Sequence, residues 1–232
     1  QNIKVNFEKN LPVLLHGITG SGKTLLYISL IKEVIAKGEQ VLFLLPEIGL
    51  TTQIVERLKS HFGEDLGVYH SRFSNNERVE IWNKVLKNEH KVIIGARSSI
   101  WLPYQKLGLI IVDEEHDGSF KQQDPAPRFH ARDSAIMLGQ IHKAKILLGS
   151  ATPSMETMYN VQQQKFAYVA LKERFGNISL PEVKIVSAKN TQASLSSFLT
   201  LDLLEAINQK FSEGKQIILF QNKRGYAPFL SC

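Results

Sequence analysis

Cysteine is nearly absent. The 232 residues hold one, Cys232, which excludes an internal disulfide framework and points to a reducing compartment. Long apolar runs are missing too: none approaches the ~20 residues a helix needs to cross a bilayer. The first ten residues, QNIKVNFEKN, lack the hydrophobic stretch of a secretion signal. There is no low-complexity tract and no repeat at a solenoid period. With 43% apolar and 22% charged residues, the composition is that of a folded globular chain. A formal net charge of +6 permits a polyanionic partner without establishing one. The chain opens on Gln1 rather than Met, which reads as a piece of a longer protein, with room for one α/β domain and part of a second.

Short apolar strands alternate with amphipathic helices. The pattern predicts strands at Val13–His16, Val41–Leu45, Leu66–His70, Val92–Ile94, Leu109–Val112 and Lys145–Leu148. Helices are predicted over 24–37, 51–62, from Ser74 onward and near 131–140. Ser74 and Glu77 form a capping box, and Val79, Trp82, Val85 and Leu86 are expected to line the inner face of that helix. Apolar strands that do not alternate imply a parallel sheet covered on both faces. Few apolar runs occur between Glu173 and Ser197. A helical stripe at Leu201, Leu204, Ile207 and Phe211 and a strand at Ile217–Phe220 then restart the rhythm. The expected division is a first domain over 1–172, a connection over 173–197 and the opening of a second α/β domain over 198–232.

Gly17-Ile18-Thr19-Gly20-Ser21-Gly22-Lys23-Thr24 matches G-x-x-x-x-G-K-[ST] in full, between a predicted strand and a predicted helix. Backbone N–H groups can converge on phosphate oxygens only where side chains do not obstruct them. Lys23 reaches the β- and γ-phosphates, and Thr24 offers its hydroxyl to magnesium. The cluster Asp113-Glu114-Glu115-His116 directly follows an apolar strand. An acid there is where a phosphate-loop ATPase holds magnesium. Asp113 is expected to bind the metal, Glu114 to orient or deprotonate the attacking water, and His116 to sense the γ-phosphate or link it to neighbouring loops. Glu115 is either a further acid of the site or one half of a structural ion pair.

Three further loops fall at predicted strand ends: Pro46–Thr51 (PEIGLT), Gly95–Ser99 (GARSS) and Gly149–Ser154 (GSATPS). After Asp117 a loop carries Phe120, Phe129 and His130 among Lys121, Arg128 and Arg132. Aromatic faces stack on unpaired bases while cations follow phosphates; alternatively each Phe packs on its own domain. Arg97 and Ser98 suit either a phosphate contact or a hydrogen-bonded turn. Thr51 suits a helix cap, a phosphate contact, or both.

In order and kind, GITGSGKT, DEEH and these loops resemble the motif series of superfamily 2 helicases, with their RecA-like P-loop fold. LPEIGLT, DEEHDGSFKQQDPAPRFHARDSA and LFQNKRGYAPFLSC narrow the resemblance to the primosomal replication-restart helicases. That family implies ATP with magnesium, movement on single-stranded DNA, unwinding of forked DNA, and other replication-restart proteins as partners in a bacterial cytoplasm. It implies DNA contact or coupling at Thr51, Arg97, Ser98, Phe120, Lys121, Arg128, Phe129, Ser150 and Thr152. Cys232 matches the first ligand of the family's zinc insertion, so zinc is expected only in a longer protein. The family's arginine-bearing motifs lie beyond residue 232, so weak hydrolysis is expected of this stretch alone. A nucleotide-dependent DNA-binding switch without unwinding is the alternative; Glu114 speaks against it, since a switch needs no catalytic acid.

Overall fold

The computed structural model describes residues 2–47, 52–69, 73–174, 182–186 and 199–220. The chain divides into two compact units, Gln1–Ser179 and Leu180–Cys232. The first unit is built on a sheet of seven strands: β1 (Val13–Gly17), β2 (Gln40–Leu44), β3 (Leu66–Tyr69), β4 (Val92–Gly95), β5 (Leu107–Asp113), β6 (Lys145–Ser150) and β7 (Ala167–Leu171). Their order is β3-β4-β2-β5-β6-β1-β7, and every pairing is parallel.

Two apolar layers follow from the period of two along each strand. Val13, Leu15, Val41, Phe43, Leu109 and Ile111 face one side. There they meet α1 (Asn2–Glu8), α2 (Lys23–Ile35) and α3 (Thr52–Phe62) through Ile3, Phe7, Ile28, Ile31, Leu58 and Phe62. Leu14, Leu42, Leu44, Ile110 and Val112 face the other side, against Ile81 and Val85 of α4 (Asn75–Leu86) and Ala131 and Ala135 of α5 (Ala131–His142). Both faces are covered, which is why the strand sequences read as unbroken apolar runs.

The capping box forms as expected: the Ser74 amide donates to Glu77 Oε2 at 2.7 Å, and the Glu77 amide donates to Ser74 Oγ at 3.4 Å. The inner face of α4 is narrower than its sequence suggests. Ile81 and Val85 are buried, but Val79, Trp82 and Leu86 are 59%, 45% and 45% exposed. Lying over the strands at one edge of the sheet, α4 buries a single i, i+4 stripe. Three elements went unanticipated: α1, α6 (Met155–Gln162) and β7. In the second unit α7 (Leu201–Ser212) forms, capped by Thr200, whose Oγ1 accepts from the Leu203 amide at 3.3 Å. Ile217–Phe220 is not a strand: its residues are exposed, and no ladder partner lies among the described residues. The connection and the Asn222–Pro228 segment lie largely outside the described residues, as do Thr51 and Cys232.

Gln40, fully buried at the start of β2, fastens the amino ends of the strands. Its Nε2 donates to the carbonyls of Val85 (2.9 Å) and His90 (3.2 Å). Its Oε1 accepts from the amides of Gln105 (2.8 Å) and Lys106 (3.3 Å). Replacing it by Leu keeps the volume and strands those backbone groups. Gln40→Leu should lower the unfolding free energy by about 1–3 kcal/mol, read as a shifted urea midpoint.

Candidate active site

The glycine loop leaves β1 at Gly17. A Cβ there would lie 2.7 Å from Ser21 Oγ and 3.0 Å from Lys23 Cγ, so the close wrap of the loop tolerates no side chain. Gly22 holds φ at 85°, in the left-handed region, and caps α2 without any side-chain hydrogen bond. No side chain therefore competes for the first amide donors of the helix, the end that favours anions. Lys23 Nζ donates to the Gly17 carbonyl at 2.7 Å, which holds the ammonium over the loop. Ser21 Oγ is buried with no hydrogen-bond partner. A buried hydroxyl without a partner is uncommon and marks a place where a ligand oxygen fits. Ile18 and Thr19 complete the wrap, and Thr24 stands in the first turn of α2, partly buried.

Asp113 ends β5, across β6 from the loop strand. Its Oδ1 accepts a hydrogen bond from the Tyr27 hydroxyl at 2.9 Å. Burial lifts the Asp113 carboxyl above the usual carboxylate range, and the charge of Glu114 adds to this; the Tyr27 hydrogen bond and the Lys23 charge act against it. Burial likewise lifts the Tyr27 phenol well above its ordinary value, with Asp113 reinforcing the effect. Glu114 takes φ of 50°, rare for a residue with a Cβ. Its Oε2 lies 3.7 Å from His116 Nδ1. That nitrogen also shares a hydrogen bond with Ser150 Oγ at 2.8 Å, and His116 Nε2 approaches Thr152 Oγ1 at 3.3 Å. His116 thus joins the acid cluster to the Ser150–Thr152 loop. His16 makes a second tie to the same loop. Its Nε2 donates to the Ala151 carbonyl, which can only accept, at 3.2 Å, and its Nδ1 shares a hydrogen bond with the Tyr168 hydroxyl at 2.9 Å.

Glu115 is fully buried and Arg132 is 8% exposed. Glu115 Oε1 accepts from the Ser154 amide at 2.7 Å. Its Oε2 accepts from Thr157 Oγ1 (2.7 Å), Ser154 Oγ (3.0 Å) and Arg132 Nη1 (3.0 Å). Burial works against the Arg132 cation, but Asp133 and Glu115 outweigh it and raise its pKa further. Of the two readings open for Glu115, the ion pair is what forms. Arg132 is committed to that pair and does not line a surface track.

The loop after the acids closes on itself through a bridge between Lys121 and His130 and a Gln122 amide that donates to the Phe129 carbonyl at 2.8 Å. Phe120 is 1% exposed and packs in the core, so the expectation that it offers a face to a base is not what its position allows. Phe129 is partly buried and meets Trp101 edge-on, centroids 5.2 Å apart. Trp101, 59% exposed, was not singled out from sequence, though it closes the same turn as Arg97 and Ser98. Arg97 Nη1 donates to the carbonyls of Ser119 (3.2 Å) and Lys121 (3.4 Å), so its guanidinium fastens the loop. Ser98 is partly buried on that turn, and Lys121 and Arg128 are exposed.

Two outcomes follow. Glu115→Ala leaves Arg132 without its buried partner and should cost about 3–5 kcal/mol of stability in urea denaturation. For Asp113, folding disfavours the charged form, so the native pKa is raised. The stability tied to its protonated form is present below the ordinary carboxylate range and lost as pH rises through the native value. Asp113→Asn should therefore raise the melting temperature of the nucleotide-free protein at neutral pH, with the gain shrinking as pH falls through the raised native value toward the ordinary carboxylate range.

Residues 3–161 match the family model of the DEAD/DEAH box helicases. Over its full length the chain is 44% identical to replication restart protein PriA of Rickettsia felis, spanning 36% of that protein. Over 94% of its length it is 40% identical to replication restart protein PriA of Bacillus subtilis, spanning 27% of it. In three dimensions it resembles RecG bound to a three-way DNA junction, with a TM-score of 0.56 at 21% identity, covering 77% of this chain and 23% of that one. That likeness supports the RecA-like α/β fold, and the sequence matches bear out the resemblance to replication-restart helicases of superfamily 2. With the model covering more than half of its residues, the chain belongs to the DEAD/DEAH box helicase family.

Proposed function

We propose that this chain is the ATP-binding motor segment of a replication-restart DNA helicase. It holds magnesium ATP at residues 17–24 and couples hydrolysis to movement on single-stranded DNA and opening of forked DNA. One observation carries the reading. Tyr27, one turn beyond Lys23 on α2, hydrogen-bonds Asp113 at 2.9 Å, so the glycine-loop helix and the acid strand meet at one place. The partnerless Ser21 hydroxyl, the side-chain-free wrap at Gly17 and the uncapped start of α2 fit a polyphosphate. Among the described residues no three His, Cys, Asp or Glu side chains could hold a metal ion. Magnesium needs no such cage: it keeps several waters and takes one or two carboxylates beside phosphate oxygens. Asp113 and the Thr24 hydroxyl would hold it.

Lys23 lays its charge against the β- and γ-phosphates. Magnesium, when bound, neutralises charge shared by those phosphates. Glu114, turned away from the strand axis, orients the attacking water and accepts its proton. His116 ties that acid to Ser150 and Thr152, so a shift in their loop reaches the water-activating group. Lys121, Arg128, Phe129 and Ser98 face the DNA, and Thr51, outside the described residues, joins them by family resemblance. Arg97 supports that surface from behind. Residues 1–172 form the first RecA-like domain, 173–197 connect, and 198–232 open the second. In the longer protein Cys232 contributes to a zinc site, other replication-restart proteins are partners, and the setting is the cytoplasm; among the described residues no helix is long and apolar enough to cross a membrane.

The test is ATP hydrolysis by the full-length protein with and without single-stranded and forked DNA. DNA should raise the rate, and Lys23→Ala should abolish it. Absence of DNA stimulation overturns the helicase reading; activity that survives Lys23→Ala overturns the phosphate-loop reading. Phe129→Ala should weaken single-stranded DNA binding by about 1–3 kcal/mol in fluorescence titration, the usual worth of one stacked base.

A further inference from the structure

Three features meet beneath the acid cluster. Tyr27 has its ring fully buried, edge-on to Phe43 of β2 with centroids 5.5 Å apart. Its hydroxyl crosses the carboxyl ends of β5 and β6, where Asp113 lies in register with Gly149. Gly149 has no room for more than a hydrogen: a Cβ there would collide with the Tyr27 hydroxyl, and would lie 3.0 Å from Asp113 Oδ1. The Gly149 carbonyl also accepts from the Glu115 amide at 3.0 Å, which fixes the strand end on its far side.

A buried phenol needs a hydrogen-bond partner, and the phenol of Tyr27 has Asp113 Oδ1 at 2.9 Å. The ring cannot swing away, because Phe43 and the helix hold it. A carboxylate that accepts a fixed hydrogen bond on one oxygen is fixed in rotation about its own axis. Its other oxygen is then aimed rather than free. Metal-ligating carboxylates are commonly oriented in this way by groups behind them, and losing such a group weakens metal binding.

We propose that Tyr27 is the positioning residue of Asp113: through the gap at Gly149 its hydroxyl engages Oδ1 and leaves Oδ2 aimed at magnesium. This rests on the reading of Asp113 as the magnesium carboxylate. Tyr27 touches neither nucleotide nor metal. It ties the carboxylate to the same helix that presents Lys23 and Thr24, so loop and acid keep one spacing. The GSAT loop then has a second duty, since its first glycine makes the space for that hydroxyl.

The experiment titrates magnesium against binding of a fluorescent ADP analogue to the full-length protein, with a parallel titration of the analogue in EDTA. Tyr27→Phe keeps the ring against Phe43 and removes only the hydroxyl. It should raise the magnesium concentration for half-maximal binding about ten-fold or more, with affinity in EDTA unchanged. Gly149→Ala, which displaces the hydroxyl and keeps it in the chain, should give the same shift. It supplies the readout if Tyr27→Phe does not fold. The double variant should be no worse than the worse single one, because both break the same bond. A folded Tyr27→Phe with the wild-type magnesium response overturns the proposal. So does an equal loss of affinity in EDTA, which would mean general damage to the site. Asp113→Asn is the control for the underlying reading: if it keeps the wild-type magnesium response, Asp113 is not the metal carboxylate, whatever Tyr27→Phe shows.

Discussion

A buried carboxylate with no access to water must be met by donors on every side, and Glu115 is met from three directions. The Ser154 amide, the Ser154 and Thr157 hydroxyls and the Arg132 guanidinium all close on it. Those donors belong to the start of α6 and the start of α5, while Glu115 follows the acid strand β5. An isolated ionised carboxylate could not remain in that environment, and the ion pair alone would barely offset its own desolvation. The added hydrogen bonds make the arrangement stable, and they oblige three loops at the carboxyl end of the sheet to keep one geometry. The Ser150–Thr152 loop, the aromatic loop and the acid cluster are therefore parts of one fastening rather than three independent surfaces.

Around that fastening the polar contacts divide by role. Tyr27 and Lys23 hold the glycine-loop side, through Asp113 Oδ1 and the Gly17 carbonyl. His116 and His16 hold the Ser150–Thr152 loop from two sides. Arg97 holds the aromatic loop by its backbone carbonyls. Most of the charged and polar side chains near the site are engaged with the protein, while Lys121, Arg128 (beside Asp124 at 4.0 Å) and Trp101 are exposed. This is how a mildly basic chain can present a local cationic and aromatic surface without a large excess of charge.

Much of the fold was legible in the sequence because a parallel sheet covered on both faces writes itself as apolar runs. Val41–Leu44 and Leu109–Val112 are fully buried as read. The glycine loop and the DEEH cluster were legible for a related reason: their chemistry demands particular residues at fixed spacing. What stayed hidden has physical causes. β7 is an edge strand of mixed exposure, so its pattern is weak. Ile217–Phe220 has strand composition, but a strand exists only with a ladder partner. Phe120 and Phe129 stand in the same aromatic and basic loop, yet one is fully buried and the other only partly; spacing in a loop carries no facing rule. Arg132 read as a surface cation because nothing local reveals a buried acid that lies next to it only in space.

Along β5 the side chains keep strict parity: Leu109 and Ile111 face the layer of α2, while Ile110 and Val112 face the layer of α5. Asp113 obeys, turning toward Tyr27. Glu115 has the same parity and should face the same way, yet it is buried against Arg132 of α5. The exchange of sides happens at Glu114, whose φ of 50° breaks the alternation. One left-handed residue thus lets a run of three acids address both layers of the molecule, the first on the side of α2 and the third on the side of α5. The sheet otherwise separates those layers completely. At this one peptide the chain end of β5 reaches both layers, so a single residue's backbone conformation decides which side of the sheet each acid serves.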